Sequence, residues 1–233
     1  MPGDRPSASA IPDRVAPTLI ETAVESLTAA VASERAGVDR IELCDNLDDG
    51  GTTPMSELID AVLDHVRIPV FVMVRPRAGD FVYSTNEQAA MRRKLAAIAR
   101  HRVAGIVTGG ITSDDRVDTT LVRTMIESAG GIPVTFHRAF DTLTDHHRAL
   151  DDLVELGVAR ILTAGAERRA VAGSARIADL VSYAKDRITI VAGGGVRANN
   201  VTELLQRTGV SEIHSRFVNE AGLKQLVRTV RTC

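Results

Sequence analysis

The segments that decide the fold read RIELC (Arg40–Cys44), VFVMVR (Val70–Arg75), VTFHR (Val134–Arg138) and EIHS (Glu212–Ser215). Each is a short run with β-branched residues that ends in a cysteine, a charged residue or a hydroxyl side chain. Their apolar positions are largely continuous, which is typical of strands buried on both faces of a parallel sheet. These segments therefore predict parallel strands with chemically useful residues at their carboxyl ends.

Eight such runs occur along the chain, and a helical pattern follows each one. The predicted strands are Leu19–Glu21, Arg40–Leu43, Val70–Val74, Gly105–Thr108, Pro133–His137, Arg160–Thr163, Ile188–Ala192 and Glu212–His214. The predicted helices are Ser26–Ala36, Met55–His65, Asn86–His101, Thr119–Ala129, Thr144–Leu156, Ala170–Ala184, Asn199–Thr208 and Glu220–Arg231. Alternating strands and helices with short linkers favour right-handed crossovers in a parallel sheet. We therefore predict an α/β fold, a single parallel (β/α)8 TIM barrel, with an open doubly wound sheet as the alternative.

Length and composition are those of one ordinary globular domain. We assign residues 18–233 to the barrel and residues 1–17, which hold four prolines and no apolar run, to a flexible N-terminal arm. The net charge of −2 and the 3% of aromatic residues argue against a nucleic-acid partner. Two cysteines, Cys44 and Cys233, without a zinc-type spacing predict a cytoplasmic protein, and no apolar run is long enough to span a membrane.

In a (β/α)8 barrel the carboxyl ends of all strands meet at one mouth, where active sites lie. Arg75 and Arg77 flank a proline at the end of the third strand, and their guanidinium groups suit a carboxylate or a phosphate. An ion pair with Asp80 that merely fixes the loop is the alternative. The loop after the seventh strand adds Gly193, Gly194 and Gly195, and Ser215 follows the eighth; such loops bind phosphate in many barrels. Arg138 is a further candidate for binding an anion, and Arg197 and Arg216 could add charge there.

Proton transfer has its own candidates at the same mouth. His137 ends the fifth strand, and Asp141 could either orient it or pair with Arg138. Glu21 and Glu42 lie at or near the ends of adjacent strands, so one of the two carboxylates could act as a general base. The alternatives are that both glutamates bind a metal ion, or that they balance arginines in a buried network.

Several of these segments together resemble the CutC family. The matching pieces are Arg40–Cys44, Gly50–Pro54, Arg75–Ser84, Ile106–Gly109, Val134–Asp141, Arg160–Gly165, Ala192–Arg197 and Glu212–Ser215, and they occur in order over the whole barrel. Arg75–Ser84 and Val134–Asp141 are the most specific of them. The resemblance implies a cytoplasmic (β/α)8 barrel that forms a homodimer or a higher homo-oligomer and takes part in copper homeostasis.

The chain departs from the family at positions that matter for copper. The family commonly places cysteines after the glutamate of the first strand, whereas Glu21 is followed here by TAVES. Cys44 does match the cysteine that ends the second strand. The candidate metal ligands are therefore Cys44, His137 and His214, with Met73 as a further candidate. Cu(I), however, prefers two or three soft sulfur ligands. Arg216 stands where the family tends to carry a small residue, and the tail after the eighth strand is short.

Three functions follow from these residues. The resemblance predicts a CutC-like protein that binds copper, with Cu(I) as the expected ion. The residues themselves predict a metal-independent isomerase or lyase that transfers protons on a small anionic or phosphorylated metabolite. A noncatalytic scaffold is the third alternative, in which the arginines simply neutralise the glutamates.

Overall fold

Eight parallel strands close into a barrel in the computed structural model, which describes residues 17–233. Each strand pairs with the next one along the chain, and β8 pairs with β1. The (β/α)8 prediction is confirmed, and the open doubly wound sheet is wrong. The predicted N-terminal arm, apart from Pro17, lies outside the described residues.

The strands and helices alternate in the predicted order. The strands are β1 (Leu19–Val24), β2 (Arg40–Leu43), β3 (Val70–Met73), β4 (Gly105–Thr108), β5 (Val134–Phe136), β6 (Arg160–Thr163), β7 (Thr189–Gly193) and β8 (Glu212–Arg216). The helices are α1 (Leu27–Ala36), α2 (Ser56–His65), α3 (Thr85–Ile98), α4 (Thr119–Ala129), α5 (His146–Glu155), α6 (Ser174–Ala184), α7 (Val201–Thr208) and α8 (Glu220–Arg231). Short 3₁₀ turns follow β2 (Leu47–Asp49) and β5 (Arg138–Thr142).

Two boundaries differ from the prediction in ways that move site residues. β1 continues to Val24, so Glu21 lies within the strand and deeper in the barrel than its predicted place at the strand end. α6 begins at Ser174 and not at Ala170, because the chain first makes a tight turn at Gly165, where φ is 71°. A side chain at Gly173 would meet the carbonyl oxygen of Ala164, so this turn packs backbone directly on backbone.

Side-chain caps mark where several of the helices begin. Ser84 accepts a hydrogen bond from the backbone of Glu87, whose carboxylate in turn accepts from the backbone of Ser84. This reciprocal cap satisfies two of the backbone donors that a helix start leaves free. Asp118, Asp145 and Asn219 cap α4, α5 and α8 in the same way with one side-chain acceptor each.

Ion pairs between side chains, as well as apolar contacts, stabilise the inside of the barrel. Arg40 donates to Glu21 on one side (2.5 Å) and to Glu212 on the other (2.6 Å). Arg160 reaches the same Glu212 from β6 at 3.1 Å. The ring of Phe71 on β3 lies under both guanidinium groups, 4.5 Å from that of Arg40 and 5.3 Å from that of Arg160. This barrel-floor network joins five strands across the barrel.

Burial makes this network sensitive to the loss of any member. Arg40 is 3% exposed and Glu21 is 2% exposed. A buried charge without its partner is strongly destabilising, because neither water nor a counter-ion replaces the lost interaction.

We predict that Arg40→Ala lowers the free energy of unfolding by about 3–5 kcal/mol, since it leaves two buried carboxylates without their shared cation. Urea denaturation of the two proteins measures the difference. Arg207→Ala is the matched control, because Arg207 forms an exposed pair with Glu203 within α7, and such a pair is worth less than about 1 kcal/mol. Similar losses for both variants would show that the network does not hold the barrel.

Candidate functional site

A cavity of about 490 Å³ opens at the carboxyl ends of the strands. Its walls include predicted site residues from strands on all sides of the barrel: Glu42, Arg75, His137, Arg138, Asp141, Gly194, Gly195 and His214. Arg216, which the family resemblance marked as unusual, also lines it. Glu21, Arg77, Gly193, Ser215 and Cys44 are not among the residues that line it.

Closure of the barrel brings together one histidine and two carboxylates. The register of β8 on β1 sets His214 beside Glu21, and that of β1 on β2 sets Ala23 beside Glu42. The Nδ1 atom of His214 lies 2.7 Å from Oε1 of Glu21, and its Nε2 atom lies 3.5 Å from Oε2 of Glu42. The imidazole therefore bridges two buried carboxylates.

The two carboxylates of this group differ in charge. Burial alone would raise the pKa of Glu21, but the hydrogen bond from His214 and the charge of Arg40 outweigh it and lower the pKa to about 2. Burial raises the pKa of Glu42 to about 7; the charge of His214 opposes this rise, and the charge of Glu21 adds a smaller contribution to it. Glu21 is thus an anion behind His214, whereas Glu42 lines the cavity and has a buried Oε1 atom without a partner among residues 17–233.

His214 itself is biased toward its charged form. Burial alone would lower its pKa, but the carboxylates of Glu42 and Glu21 outweigh that cost and raise the pKa above its ordinary value. A ring nitrogen that faces a carboxylate at 2.7 Å is a hydrogen-bond donor.

His137 is neutral, and its hydrogen bond places the ring proton on Nε2. Its Nδ1 atom accepts a hydrogen bond from the backbone of Ala139 (3.2 Å), so the neutral ring carries its proton on Nε2. Burial, with the nearby charge of Arg75, lowers the pKa of His137 to about 3. The Nε2 atom has no partner among the described residues. His137 can therefore donate a hydrogen bond into the site, but it is not a source of imidazolium protons at neutral pH.

Asp141 takes the second of its two predicted alternatives. It pairs with Arg138 at 2.7 Å and accepts hydrogen bonds from Thr163 and from the backbone of Ala164 and Ala166, while no hydrogen bond joins it to His137. The carboxylate thus fixes the turn after β6. This arrangement supports a structural role and lends no support to the predicted catalytic one.

Most donors of the mouth arginines are already engaged. Arg75 donates to the backbone carbonyls of Asp49, Gly51 and Gly79, and so ties the loop after β2 to the loop after β3. Its Nε atom has no partner among residues 17–233. Arg77 points away from the cavity and pairs with Asp80 and Glu87, which is the loop-fixing alternative.

Sequence reasoning missed the cations that balance the glutamates. The alternative of a buried network with arginines looked to those of the mouth, Arg75 and Arg138, whereas Arg40 pairs with Glu21. A signal for Arg40 existed, because alternate residues of a strand face the same side and Arg40, Glu42 and Cys44 are alternate residues of the second predicted strand. Arg160 and Glu212, which open β6 and β8, carry a similar signal, because each is a charged residue at the start of a predicted buried strand.

The described residues contain one group of three side chains able to hold a metal ion together. Glu21, Glu42 and His214 offer ligand atoms that all lie within 4.8 Å of one another. The predicted set of Cys44, His137 and His214 is not brought together in this way.

The donors present suit a harder copper ion than the sequence suggested. The thiol of Cys44 is buried beside Met73 and the backbone of Val24, and burial together with nearby glutamates raises its pKa well above the ordinary value. Because this pKa is raised, a metal ion must remove the proton of Cys44 at a higher cost than that of an ordinary cysteine. The remaining nitrogen and oxygen donors fit Cu(II) better than Cu(I).

Comparison with known proteins agrees with the resemblance noted in the sequence. The model of the CutC family matches residues 18–219. A human protein named copper homeostasis protein cutC homolog is 40% identical over 208 residues, which cover 88% of this chain and 76% of that protein. A CutC family protein of Pasteurella multocida is 41% identical over 195 residues, or 84% of this chain and 80% of the relative. The crystal structure of the CutC protein from Streptococcus agalactiae superimposes with a TM-score of 0.82 at 36% identity, covering 85% of this chain and 98% of that one.

Among residues 17–233, no helix has the length and apolar character needed to cross a bilayer.

We predict that His137 makes the protein less stable in acid. Its pKa is lowered from 6.5 to about 3, so below pH 6.5 the unfolded chain binds a proton that the folded protein does not. The free energy of unfolding should therefore fall by about 2 kcal/mol between pH 7 and pH 5 through this residue, and His137→Asn should abolish that part of the fall. Urea denaturation at both pH values measures it, with the exposed His65→Asn as control. Equal pH dependence in the wild type and His137→Asn would contradict the account.

Proposed function

Because the chain belongs to the CutC family, we propose that it acts in copper homeostasis and binds a copper ion as cargo at the mouth of its barrel. The observation that carries this proposal is the buried Oε1 atom of Glu42, which has no partner among residues 17–233 and belongs to the group formed with Glu21 and His214. An unpaired buried carboxylate oxygen beside an imidazole is a natural place for a cation. A cytoplasmic location and a homo-oligomeric state are further predictions of this proposal.

The contacts suggest different roles for the three side chains. Both oxygens of Glu21 are engaged, one by Arg40 and one by Nδ1 of His214. Glu42 and Nε2 of His214 are therefore the groups that would bind copper directly. Glu21 would orient the imidazole from behind, which is the usual place of a carboxylate behind a metal-binding histidine.

Copper in this site competes with a proton. Two carboxylates raise the pKa of His214, and the ring must give up its Nε2 proton before that nitrogen can bind a metal. The affinity for copper should consequently increase with pH as the proton becomes easier to remove.

We predict that metal-free protein binds Cu(II) with an affinity that rises between pH 6 and pH 8. Glu42→Gln and His214→Gln should each weaken binding by more than about tenfold, since each removes a direct ligand. Cys44→Ser should leave Cu(II) binding unchanged. Isothermal titration calorimetry measures the affinity of each protein for Cu(II). The electron paramagnetic resonance spectrum of the bound ion reports whether its ligands are nitrogen and oxygen.

The opposite pattern would contradict this site. If Cys44→Ser abolished copper binding while His214→Gln preserved it, copper would be held by sulfur, and the proposed ligands would be wrong. Thermal unfolding of each variant shows whether a loss of binding is merely a loss of fold.

The volume of the cavity favours a second candidate, the metal-independent enzyme. About 490 Å³ is far more than one ion needs and lies within the range of pockets that bind small organic molecules. Glu42 would take a proton from a carbon next to a carbonyl group, and Nε2–H of His137 would donate a hydrogen bond to the oxygen on which negative charge develops. Such an enzyme binds its substrate when copper is chelated, which separates the two candidates.

A further inference from the structure

An electropositive recess lies in the cavity wall formed by the loops after β7 and β8. We propose that this recess binds the phosphate group of a small phosphate monoester whose organic part extends toward Glu42 and His137. The inference goes beyond copper binding and does not depend on it. It rests on the second candidate only in assuming that the cavity holds an organic molecule.

The backbone of the loop after β7 is shaped to present donors. Gly194 and Gly195 have φ values of 106° and 71°, which residues with side chains rarely adopt. The carbonyl oxygen of Gly194 accepts from the backbone of Ala170, and that of Gly195 accepts from the side chain of Asn200. The successive N–H groups of Gly195 and Val196 find no acceptor among residues 17–233. Consecutive backbone N–H groups in such a turn form an anion-binding concavity.

Two arginines add positive charge beside these donors. Arg216 lines the cavity, and its carboxylate partner is Asp48 at 2.8 Å. The Asp48 side chain is 87% exposed, so this pair is weak and an anion in the cavity can compete with it. Arg197 donates to the carbonyl of Val196 and to Ser215, and no carboxylate of the described residues pairs with it. Burial and then the charge of Arg216 lower the pKa of Arg197, which places two guanidinium groups near one another.

The arrangement of donors favours phosphate over carboxylate. Two consecutive N–H groups and the guanidinium group of Arg216 offer several donors, and a phosphate monoester offers three terminal oxygens and nearly two charges. A carboxylate offers two oxygens in one plane and one charge. Phosphate-binding loops in this position are frequent in (β/α)8 barrels.

The remaining space indicates the class of compound. Oε1 of Glu42 and Nε2 of His137 both lack partners in residues 17–233, and both residues line the same cavity. An acceptor oxygen and a donor nitrogen call for a hydroxyl group and a carbonyl oxygen in the ligand. The inferred ligand is therefore a short phosphorylated hydroxy-carbonyl compound.

Calorimetric titration in the presence of a chelator tests the phosphate recess directly, with inorganic phosphate, glycerol 3-phosphate, glycerol and acetate as probes. We expect saturable binding of the two phosphates and none of glycerol or acetate. Arg216→Gln should weaken binding of glycerol 3-phosphate by about tenfold or more, because it removes a charged hydrogen bond. Arg207→Gln, on the exposed face of α7, is the matched control and should bind as the wild type does.

A second variant separates loss of charge from loosening of the loop after β2. Asp48→Asn also removes the ion pair between Arg216 and that loop and leaves only the hydrogen bond to the carbonyl of Leu47, so the charge of Arg216 is no longer neutralised and binding of glycerol 3-phosphate should tighten. Weaker binding by Asp48→Asn as well as by Arg216→Gln would mean that the loop and not the charge matters, which overturns the proposal.

Three further results would also overturn it: no saturable binding of either phosphate by the wild type, binding that Arg216→Gln does not change, or acetate binding as strong as phosphate binding. Copper binding without phosphate binding would reject only this inference. Phosphate binding without copper binding would reject the proposed copper site and leave the phosphate recess standing.

Discussion

The rest of the structure depends on Arg40, which lies inside the barrel between Glu21 and Glu212. Its charge helps to keep Glu21 ionised at a depth where a lone carboxylate would be neutral. The Glu21 anion then fixes Nδ1 of His214, which turns the other ring nitrogen toward Glu42. The charge distribution at the mouth is thus set one layer below it, by residues that do not line the cavity.

Such a network is expensive for a fold that usually fills its interior with branched apolar side chains. Replacing buried ion pairs by apolar residues is often neutral or stabilising, so stability alone does not account for four charged residues in the barrel floor. What the network does provide is a preorganised charge below the mouth: the Glu21 anion behind His214, close to Glu42 and its unpartnered oxygen. Preorganised charges are what a cation site or a site of proton transfer requires.

Much of the architecture could be predicted from the sequence, because a short strand-like run followed by a helical pattern repeats eight times. Adjacent strands also placed Glu21 and Glu42 together correctly. The partners of the charged residues were harder to predict, because they depend on how far each strand extends and on where long side chains reach. Arg40 is the first residue of its predicted strand, so the sequence reading treats it as part of the strand and not as a partner of Glu21. Arg77 is predicted to lie at the mouth, although its loop turns it toward Glu87. His214 could have been placed beside Glu21 from closure alone, since a closed barrel sets the last strand against the first.

The most direct test of the account is the protonation state of His214 in metal-free protein at pH 7, read from the nitrogen-15 resonances of its imidazole ring. An unperturbed histidine is mostly neutral at this pH. The account predicts that a larger fraction of His214 is doubly protonated than of an ordinary histidine at this pH, with the Nδ1 proton held by Glu21, and that Cu(II) removes the proton on Nε2. A ring that is neutral at pH 7 before copper is added would contradict the account, because the carboxylates of Glu21 and Glu42 would then not raise the pKa of His214.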